Sequence, residues 1–278
     1  MLILAAIGVY AAMCLLFWQG QWQLVFGTPQ PVHATPASSG LKYEEIRFDA
    51  TETGMLQLSG WWIPAGSGSE FAGDTILFLR DGSGSLSDSI AQLRALHALG
   101  INVFAFDYRG FGSSTKIHPS EKSVSLDAEA AWQYLVATRH IDPGTIVFYG
   151  SKLGAAVAAE LALRHPQVRA LLLEDLQPPV LERLARDRRT RFLPMRLLFH
   201  DRFDPTQALI RLTIPKLFLN VPLSDQEYQN TRSYETVAAE PKTALLLHSA
   251  PGVPAYQDPS YTSSLESFLK KYLLEAQR

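Results

Sequence analysis

The segment at residues 145–155 has the residue types and the spacing of a reactive turn between a strand and a helix. Its sequence is Thr-Ile-Val-Phe-Tyr-Gly-Ser-Lys-Leu-Gly-Ala, an apolar run followed by a tight turn at Gly150 and a small-residue helical run from Gly154. In such a turn the residue midway between the two glycines projects from the apex and can serve as a nucleophile. That residue is Lys152, and a serine stands one place earlier, at Ser151. The spacing therefore predicts the geometry of a nucleophile site without the hydroxyl group at its apex.

Alternating strands and helices along the chain would position this turn. The predicted strands are 43–50, 55–64, 75–80, 102–107, 145–149, 168–174, 215–220 and 242–248, and the predicted helices are 88–99, 126–139, the run from 154, 225–239 and 260–276. The first two strands flank a Thr-Glu-Thr-Gly turn, which indicates an antiparallel hairpin at a sheet edge. Short apolar strands separated by helices predict a mostly parallel, doubly wound sheet.

Composition limits the classes of function. The chain has 278 residues and a formal net charge of -2, which does not favour nucleic acid as a partner. A single cysteine, Cys14, excludes an internal disulfide and a cysteine-rich metal site. The histidines lack metal-ligand spacing, and no glycine-rich phosphate motif follows a strand, so we expect neither a metal nor a cofactor.

The N-terminus predicts a membrane anchor. Residues 1–18 carry no charge, and Trp18, Trp22 and Phe26 follow among glutamines, as in an interfacial belt. We predict an uncleaved transmembrane helix in residues 1–26, with the side of the membrane undetermined. A cleaved signal peptide and a buried or interfacial helix remain alternatives, although no basic residue precedes the apolar run. Residues 27–41 are rich in Pro, Ser and Gly and indicate a linker, so the main domain would span 42–278.

A basic segment interrupts the doubly wound pattern at residues 176–205. Its arginines alternate with apolar residues: Arg183, Arg186, Arg188, Arg189, Arg191, Arg196 and Arg202. One interpretation is a lid-like excursion over the sheet with a solvated face. The other is a basic amphipathic surface for an anionic lipid or a protein partner.

Two longer runs carry a resemblance to a known family. They are Asn102–Ser114 (NVFAFDYRGFGSS) and Leu126–Asp175, which includes the turn at Lys152, and the segment Phe192–Pro205 (FLPMRLLFHDRFDP) adds to them. These runs resemble the α/β-hydrolase family, and in particular its membrane-anchored serine-hydrolase branch. The resemblance covers nearly the whole chain beyond residue 40. It implies an α/β-hydrolase fold, with a mostly parallel doubly wound sheet, preceded by one N-terminal transmembrane helix.

The catalytic positions that the family would use are all altered in this sequence. The family's nucleophile falls on Lys152, its acid on Ser224 and its histidine on Val253. Its oxyanion loop corresponds to Arg80–Ser85, so Asp81, Gly82 and Leu153 would be the remnant of the oxyanion site.

A lysine at the apex needs a compensating charge. Its ammonium would meet the positive end of a helix dipole, which is unfavourable by about 1 kcal/mol or less. In this family the oxyanion loop faces the turn, so we expect an ion pair between Lys152 and Asp81 that fills the former catalytic pocket. Asp225 is the second choice of partner. We also expect Ser151 to point away from the pocket that Lys152 enters.

Two classes of function follow. The first is a membrane-anchored protein that has lost serine-hydrolase activity and acts as a binding or structural subunit, for example of a larger membrane protein assembly. The second is a divergent ester or amide hydrolase that uses Ser151 as nucleophile, with Lys152 or His248 as base and Asp225 to orient it.

Overall fold

The computed structural model describes residues 2–50, 54–185, 193–221, 224–247 and 253–274. Its strands are β1 (Glu44–Asp49), β2 (Gln57–Ile63), β3 (Thr75–Leu79), β4 (Asn102–Asp107), β5 (Ile146–Ser151), β6 (Ala170–Glu174), β7 (Lys216–Asn220) and β8 (Lys242–Leu246). Its helices are α1 (Leu2–Gly20), α2 (Trp22–Val25), α3 (Ile90–His97), α4 (Glu121–Gln133), α5 (Leu153–Arg164), α6 (Val180–Ala185), α7 (Met195–Leu198), α8 (Thr206–Arg211), α9 (Asp225–Val237) and α10 (Tyr261–Leu269). Single π-helical turns extend α4 and α10, at 134–138 and 270–274.

The strands form one sheet in the order β1-β2-β4-β3-β5-β6-β7-β8. β1 and β2 are antiparallel to each other, and β2 is antiparallel to β4. All other neighbouring strands are parallel. The predicted edge hairpin and the mostly parallel, doubly wound sheet are therefore confirmed. The carboxyl ends of β3 to β8 consequently lie at one edge of the sheet, which we call the carboxyl edge.

Alternation along the buried strands creates a core on each face of the sheet. In β3, Leu77 and Leu79 belong to one apolar cluster, whereas Ile76 and Phe78 belong to the other. α4, α5 and α8 cover the first cluster, and α3 and α10 cover the second. Every residue of β3 is buried, and all of them except Thr75 are apolar, as expected for a central parallel strand.

Helix α1 is long and apolar enough to cross a membrane, over Ile3–Gly20, and none of that stretch is fully buried, although Phe17 near its end packs against the first apolar cluster. α2 follows after a single residue. Phe26, directly after α2, is buried among Phe111 and Phe203 of the domain.

The segment at 27–41, which we expected to be a linker, is instead hydrogen-bonded to the domain. The N–H of Gly27 donates to the carbonyl of Gly82 (2.8 Å), and the N–H of Gly84 donates to the carbonyl of Thr28 (3.1 Å). Further along, the N–H groups of His33 and Ala34 both donate to Oγ of Ser87 (3.1 Å). We call residues 27–34 the strap. Backbone pairing of this kind does not need apolar side chains, so the polar composition gave no indication of it.

The start of α4 differs from the prediction. α4 begins at Glu121 rather than near 126, because Ser120 caps it in a reciprocal pair with Ser123. The Glu121 carboxylate then accepts the N–H groups of Arg202 (2.7 Å) and Phe203 (2.8 Å), which ties the excursion to the domain. Of the basic excursion, residues 186–192 lie outside the described part of the chain.

Candidate functional site

Lys152 occupies the apex of a sharp turn between β5 and α5. Its backbone has φ 53° and ψ -111°, a conformation that non-glycine residues rarely adopt. The N–H of Lys152 donates to the carbonyl of Glu174 at the end of β6 (2.8 Å). The reactive turn expected at this position is therefore formed, with lysine at its apex.

The two flanking glycines make this turn possible. A Cβ atom on Gly154 would lie 2.1 Å from the carbonyl oxygen of Leu79 in β3, and one on Gly150 would lie 2.4 Å from the carbonyl oxygen of Gly154. α5 can therefore approach the sheet this closely only with glycine at both positions. The roles inferred for the two glycines are confirmed.

Lys152 and Asp81 lie near each other at the site. Nζ of Lys152 is 4.0 Å from Oδ2 of Asp81, and the two side chains are 47% and 30% exposed. Asp81 also accepts the N–H and the hydroxyl of Ser83. A pair at this separation and exposure is only weakly stabilising.

A cavity of about 340 Å³ lies beside this pair. Its lining includes Asp81, Lys152, Val253 and, contrary to our expectation, also Ser151. The pair does not fill this cavity. Ser151 is buried, at 7% exposure, so we place it at the floor of the cavity. Lys152 is 47% exposed and lies at the side of the cavity. Ser151 reaches the cavity because it ends β5 on the face that α3 and α10 cover.

A buried polar network lies under the cavity floor. The Glu174 carboxylate accepts the hydroxyl of Tyr149 and the amide of Gln92 (2.6 Å), and the Tyr149 hydroxyl lies 2.9 Å from that of Tyr261. Oγ of Ser151 is 3.5 Å from the same carboxylate. Burial raises the pKa of Glu174 from 4.5 to about 7, against the lowering effect of the Tyr149 hydrogen bond.

A buried ion pair stabilises the conformation of the oxyanion loop. NH1 of Arg80 lies 3.1 Å from Oδ1 of Asp107 at the end of β4, and both side chains are about 1% exposed. A second guanidinium nitrogen donates to the carbonyl of Ser83, inside the loop. Asp107 also accepts the N–H of Leu86 (3.0 Å), and burial raises the pKa of its carboxyl to about 6. Arg80 therefore holds the loop from its buried side, whereas Asp81 lies on the side of the loop that faces the cavity.

The remnant of the oxyanion site is compact. A Cβ atom on Gly82 would lie 2.9 Å from the Phe26 ring and 3.3 Å from Cδ1 of Leu153. Gly82 is thus held between the first residue of α5 and the end of the anchor segment. Asp81, Gly82 and Leu153 are brought together, as the resemblance implied.

The other predicted site residues are less well placed. Ser224 is exposed and precedes α9, whose first residue is Asp225. The Asp225 side chain and the whole of His248 lie outside what the structure describes. Val253 lines the cavity, where the family's histidine would stand. No histidine among the described residues lines this cavity.

The sequence did not indicate several residues that lie at this site. Gln92, Glu174 and Tyr261 come from three separate elements, and their meeting depends on the register of the parallel strands. Glu174 is the last residue of β6 and follows an otherwise apolar run. A carboxylate at the end of such a strand is the one feature of the sequence that could have indicated a site residue here. Across the residues that the structure describes, no group of three or more His, Cys, Asp or Glu side chains could hold a metal ion.

Comparison with known proteins agrees with this geometry. The model of the "Alpha/beta hydrolase family" matches residues 66–274. An uncharacterized protein of Mycobacterium tuberculosis, Rv2307c, is 32% identical over 92% of this chain and 88% of its own length. The alpha/beta hydrolase domain-containing protein WAV2 of Arabidopsis thaliana is 32% identical over 63% of this chain and 58% of its own length.

Solved structures show the same fold. The Pyrococcus furiosus esterase Pf2001 superposes with a TM-score of 0.68 at 19% identity, covering 90% of this chain and 100% of its own. An alpha-beta hydrolase from Vibrio vulnificus gives 0.64 at 21% identity, covering 84% of this chain and 83% of its own. The strand order and the sharp turn at Lys152, which we call the elbow, agree with the family match, and this chain belongs to the alpha/beta hydrolase family.

Proposed function

We propose that this protein is a membrane-anchored α/β-hydrolase-fold protein that has lost serine-hydrolase activity and uses the cavity beside the elbow for binding. The observation that carries the proposal is the identity of the apex residue. Lys152 holds the strained conformation from which a nucleophile projects, and its side chain offers an ammonium in place of a hydroxyl.

The remaining positions support the same conclusion. Serine acyl transfer needs an imidazole within hydrogen-bond reach of the nucleophile and a carboxylate to orient that imidazole. Val253 is apolar where the imidazole would stand, and Ser224 has no carboxylate. Three altered positions are harder to reconcile with turnover than one. The fold persists because the glycines, Arg80 and Asp107 that shape the elbow and the loop are present.

Membrane attachment is the second part of the proposal. α1 has 19 residues, a rise of about 28 Å at 1.5 Å per residue, which is close to the hydrocarbon thickness of a bilayer. Trp18 and Trp22 at its carboxyl end suit the membrane interface. A partner in a larger membrane assembly belongs to this proposal and would be sought by crosslinking in native membranes.

A second candidate is a divergent ester or amide hydrolase, favoured by one observation. Ser151 reaches the cavity floor, and its Oγ lies 3.5 Å from a carboxylate whose pKa is raised to about 7. A carboxylate with a pKa near neutrality can act as a general base.

Labelling with a fluorophosphonate probe separates the two candidates. The full-length protein in detergent would be treated beside Ser151→Ala and Lys152→Ala variants, with folding checked by circular dichroism. We expect no labelling of any of them. Labelling that disappears in Ser151→Ala would establish the hydrolase, and labelling that persists there would place a nucleophile elsewhere; both results reject the loss of activity.

A further inference from the structure

The distance along the chain from the candidate span to the domain core is very short. α1 ends at Gly20, and Phe26 is already buried in the domain. Most of the residues between them belong to α2, and a helix advances only about 1.5 Å per residue. No flexible linker therefore separates the domain from α1, so a bilayer that α1 crosses must lie close to the domain.

The carboxyl end of α1 is also held on two sides by the domain. On one side, Nε1 of Trp18 donates to His200 (3.4 Å), and Oε1 of Gln21 accepts the N–H of His200 (3.3 Å). On the other side, the Trp22 ring stacks on the His118 ring, with centroids 4.5 Å apart. These contacts fix which face of the domain surrounds the end of the anchor.

That face carries exposed apolar side chains. Leu197 of α7 is 75% exposed, and Leu24 of α2 and Ile117 are each 45% exposed. Leu197 lies three residues before His200, and Ile117 directly precedes His118, so both flank the anchor. Exposed apolar side chains grouped around a candidate span indicate contact with lipid more than with water.

Cations lie next to these apolar residues. Lys116 and Lys122 belong to the same stretch as Ile117, and Arg202 follows His200 closely. Two acids in these stretches have backbone partners: Glu121 accepts the N–H groups of Arg202 and Phe203, and Asp201 accepts the N–H of Glu121 (2.9 Å). Basic and apolar groups together suit the headgroup region of a bilayer. The arginines of 186–192 lie outside the described residues and play no part here.

We propose that the domain docks flat on the bilayer that α1 spans, with Leu24, Ile117 and Leu197 inserted into the lipid interface around the anchor. This inference rests on the membrane attachment proposed above. The docked face belongs to the carboxyl edge of the sheet, since it is built from segments that follow β4 and β6. The elbow cavity opens at that same edge, so docking places the cavity close to the headgroups.

Site-directed spin labelling tests the docking in the full-length chain. Cys14 is the only cysteine in the sequence, so the wild type labelled there reports on α1. In a Cys14→Ser background, single labels would be placed by Leu197→Cys, Ile117→Cys and, as control, Val237→Cys. Val237 is also apolar and 43% exposed, but it ends α9 at the opposite edge of the sheet. The proteins would be reconstituted in phosphatidylcholine vesicles.

The measured quantity is the ratio of collision rates with oxygen and with a water-soluble nickel chelate. We expect this ratio at 117 and 197 to exceed that at 237 several-fold. Values at 117 and 197 equal to that at 237, with a lipid-like value at Cys14, would overturn the docking and leave the anchor intact. A water-like value at Cys14 would reject the anchor itself. A lipid-like value at only one of the two sites, or also at 237, would equally overturn the docked face.

Discussion

Nζ of Lys152 and Oδ2 of Asp81 face each other at 4.0 Å across one side of the elbow cavity, without closing it. Because both side chains are well exposed, we expect a double-mutant cycle of Lys152→Met and Asp81→Asn to give a coupling free energy below about 1 kcal/mol. The coupling would shrink further at high salt. Urea unfolding of the detergent-solubilised protein measures it, and a coupling well above that limit would mean that the pair is more tightly closed than the 4.0 Å separation indicates.

The backbone at Lys152 is strained, and glycine would relieve the strain. A non-glycine residue at positive φ costs on the order of 1–3 kcal/mol, partly offset by the greater unfolded-state freedom of glycine. Lys152→Gly should therefore be more stable to urea than the matched Lys152→Ala by about 1 kcal/mol. Both variants lose the contact with Asp81, so their difference reports on the backbone alone. Equal stability would contradict the strain.

The raised pKa of Glu174 predicts a dependence of stability on pH. The folded state holds its proton up to about pH 7, whereas the unfolded chain loses it near 4.5. Its contribution to the free energy of unfolding is therefore fully present below pH 4.5 and is lost as pH rises through 7. A shift of this size corresponds to about 3–4 kcal/mol.

The Glu174→Gln variant should remove that dependence, since its amide cannot titrate but can still accept from Tyr149 and Gln92. Unfolding free energies at pH 5 and pH 8 would be compared for the two proteins. The wild type should lose more stability than the variant over this interval. Parallel pH profiles would show that Glu174 titrates normally in the folded state.

The Arg80–Asp107 pair should be necessary for the fold around the cavity. Removing Arg80 leaves a buried carboxylate without its cation, at a cost of about 3–5 kcal/mol. Arg80→Met is the test, read as a fall in the free energy of unfolding. Lys270→Met is the matched control, because Lys270 pairs with Glu266 and Glu70 at the solvent-exposed surface, and its loss should change the free energy of unfolding far less than the loss of Arg80 does. Similar losses in both variants would contradict a special role for Arg80.

The strap requires glycine at position 27. A Cβ atom there would lie 2.5 Å from Cβ of Ser83, whereas one on Gly66 would meet nothing within 4 Å. Gly27→Ala should destabilise by about 1–3 kcal/mol and speed amide exchange in the oxyanion loop, because the two backbones must separate. Gly66→Ala should leave both quantities near wild type. Unchanged exchange at residues 82–84 in Gly27→Ala would show that the strap does not hold the loop.

The fold could be predicted largely from local sequence patterns. Each buried strand is a short apolar run, and Gly150 and Gly154 mark the elbow, so the doubly wound sheet and the turn at Lys152 are where the sequence placed them. The start of α4 was missed because Lys122, Ser123 and Ser125 interrupt the apolar period, and the capping serine gives a weaker signal.

The candidate site was less predictable, because it depends on contacts between distant segments. Arg80 directly follows β3 and Asp107 ends the neighbouring parallel strand β4, yet nothing in either run shows that their side chains turn toward each other. The network at Glu174 joins residues from β5, β6, α3 and α10, so it emerges only once the sheet is formed. The composition of residues 27–41 predicts a linker, because the backbone hydrogen bonds that hold the strap do not depend on side-chain type.

The place of Phe26 limits how the protein can be shortened for expression. A soluble fragment that starts at residue 42, the predicted beginning of the domain, would leave an apolar hole between Phe111 and Phe203. It would also remove the N–H of Gly27, which donates a hydrogen bond to the carbonyl of Gly82. Deletion of the first 20 residues would keep Phe26 and Gly27 in place and would remove only the outer contacts of Phe17 and Trp18, whereas deletion of the next ten would remove Phe26 and the backbone partners of the oxyanion loop. A fragment for crystallisation should accordingly begin at Gln21.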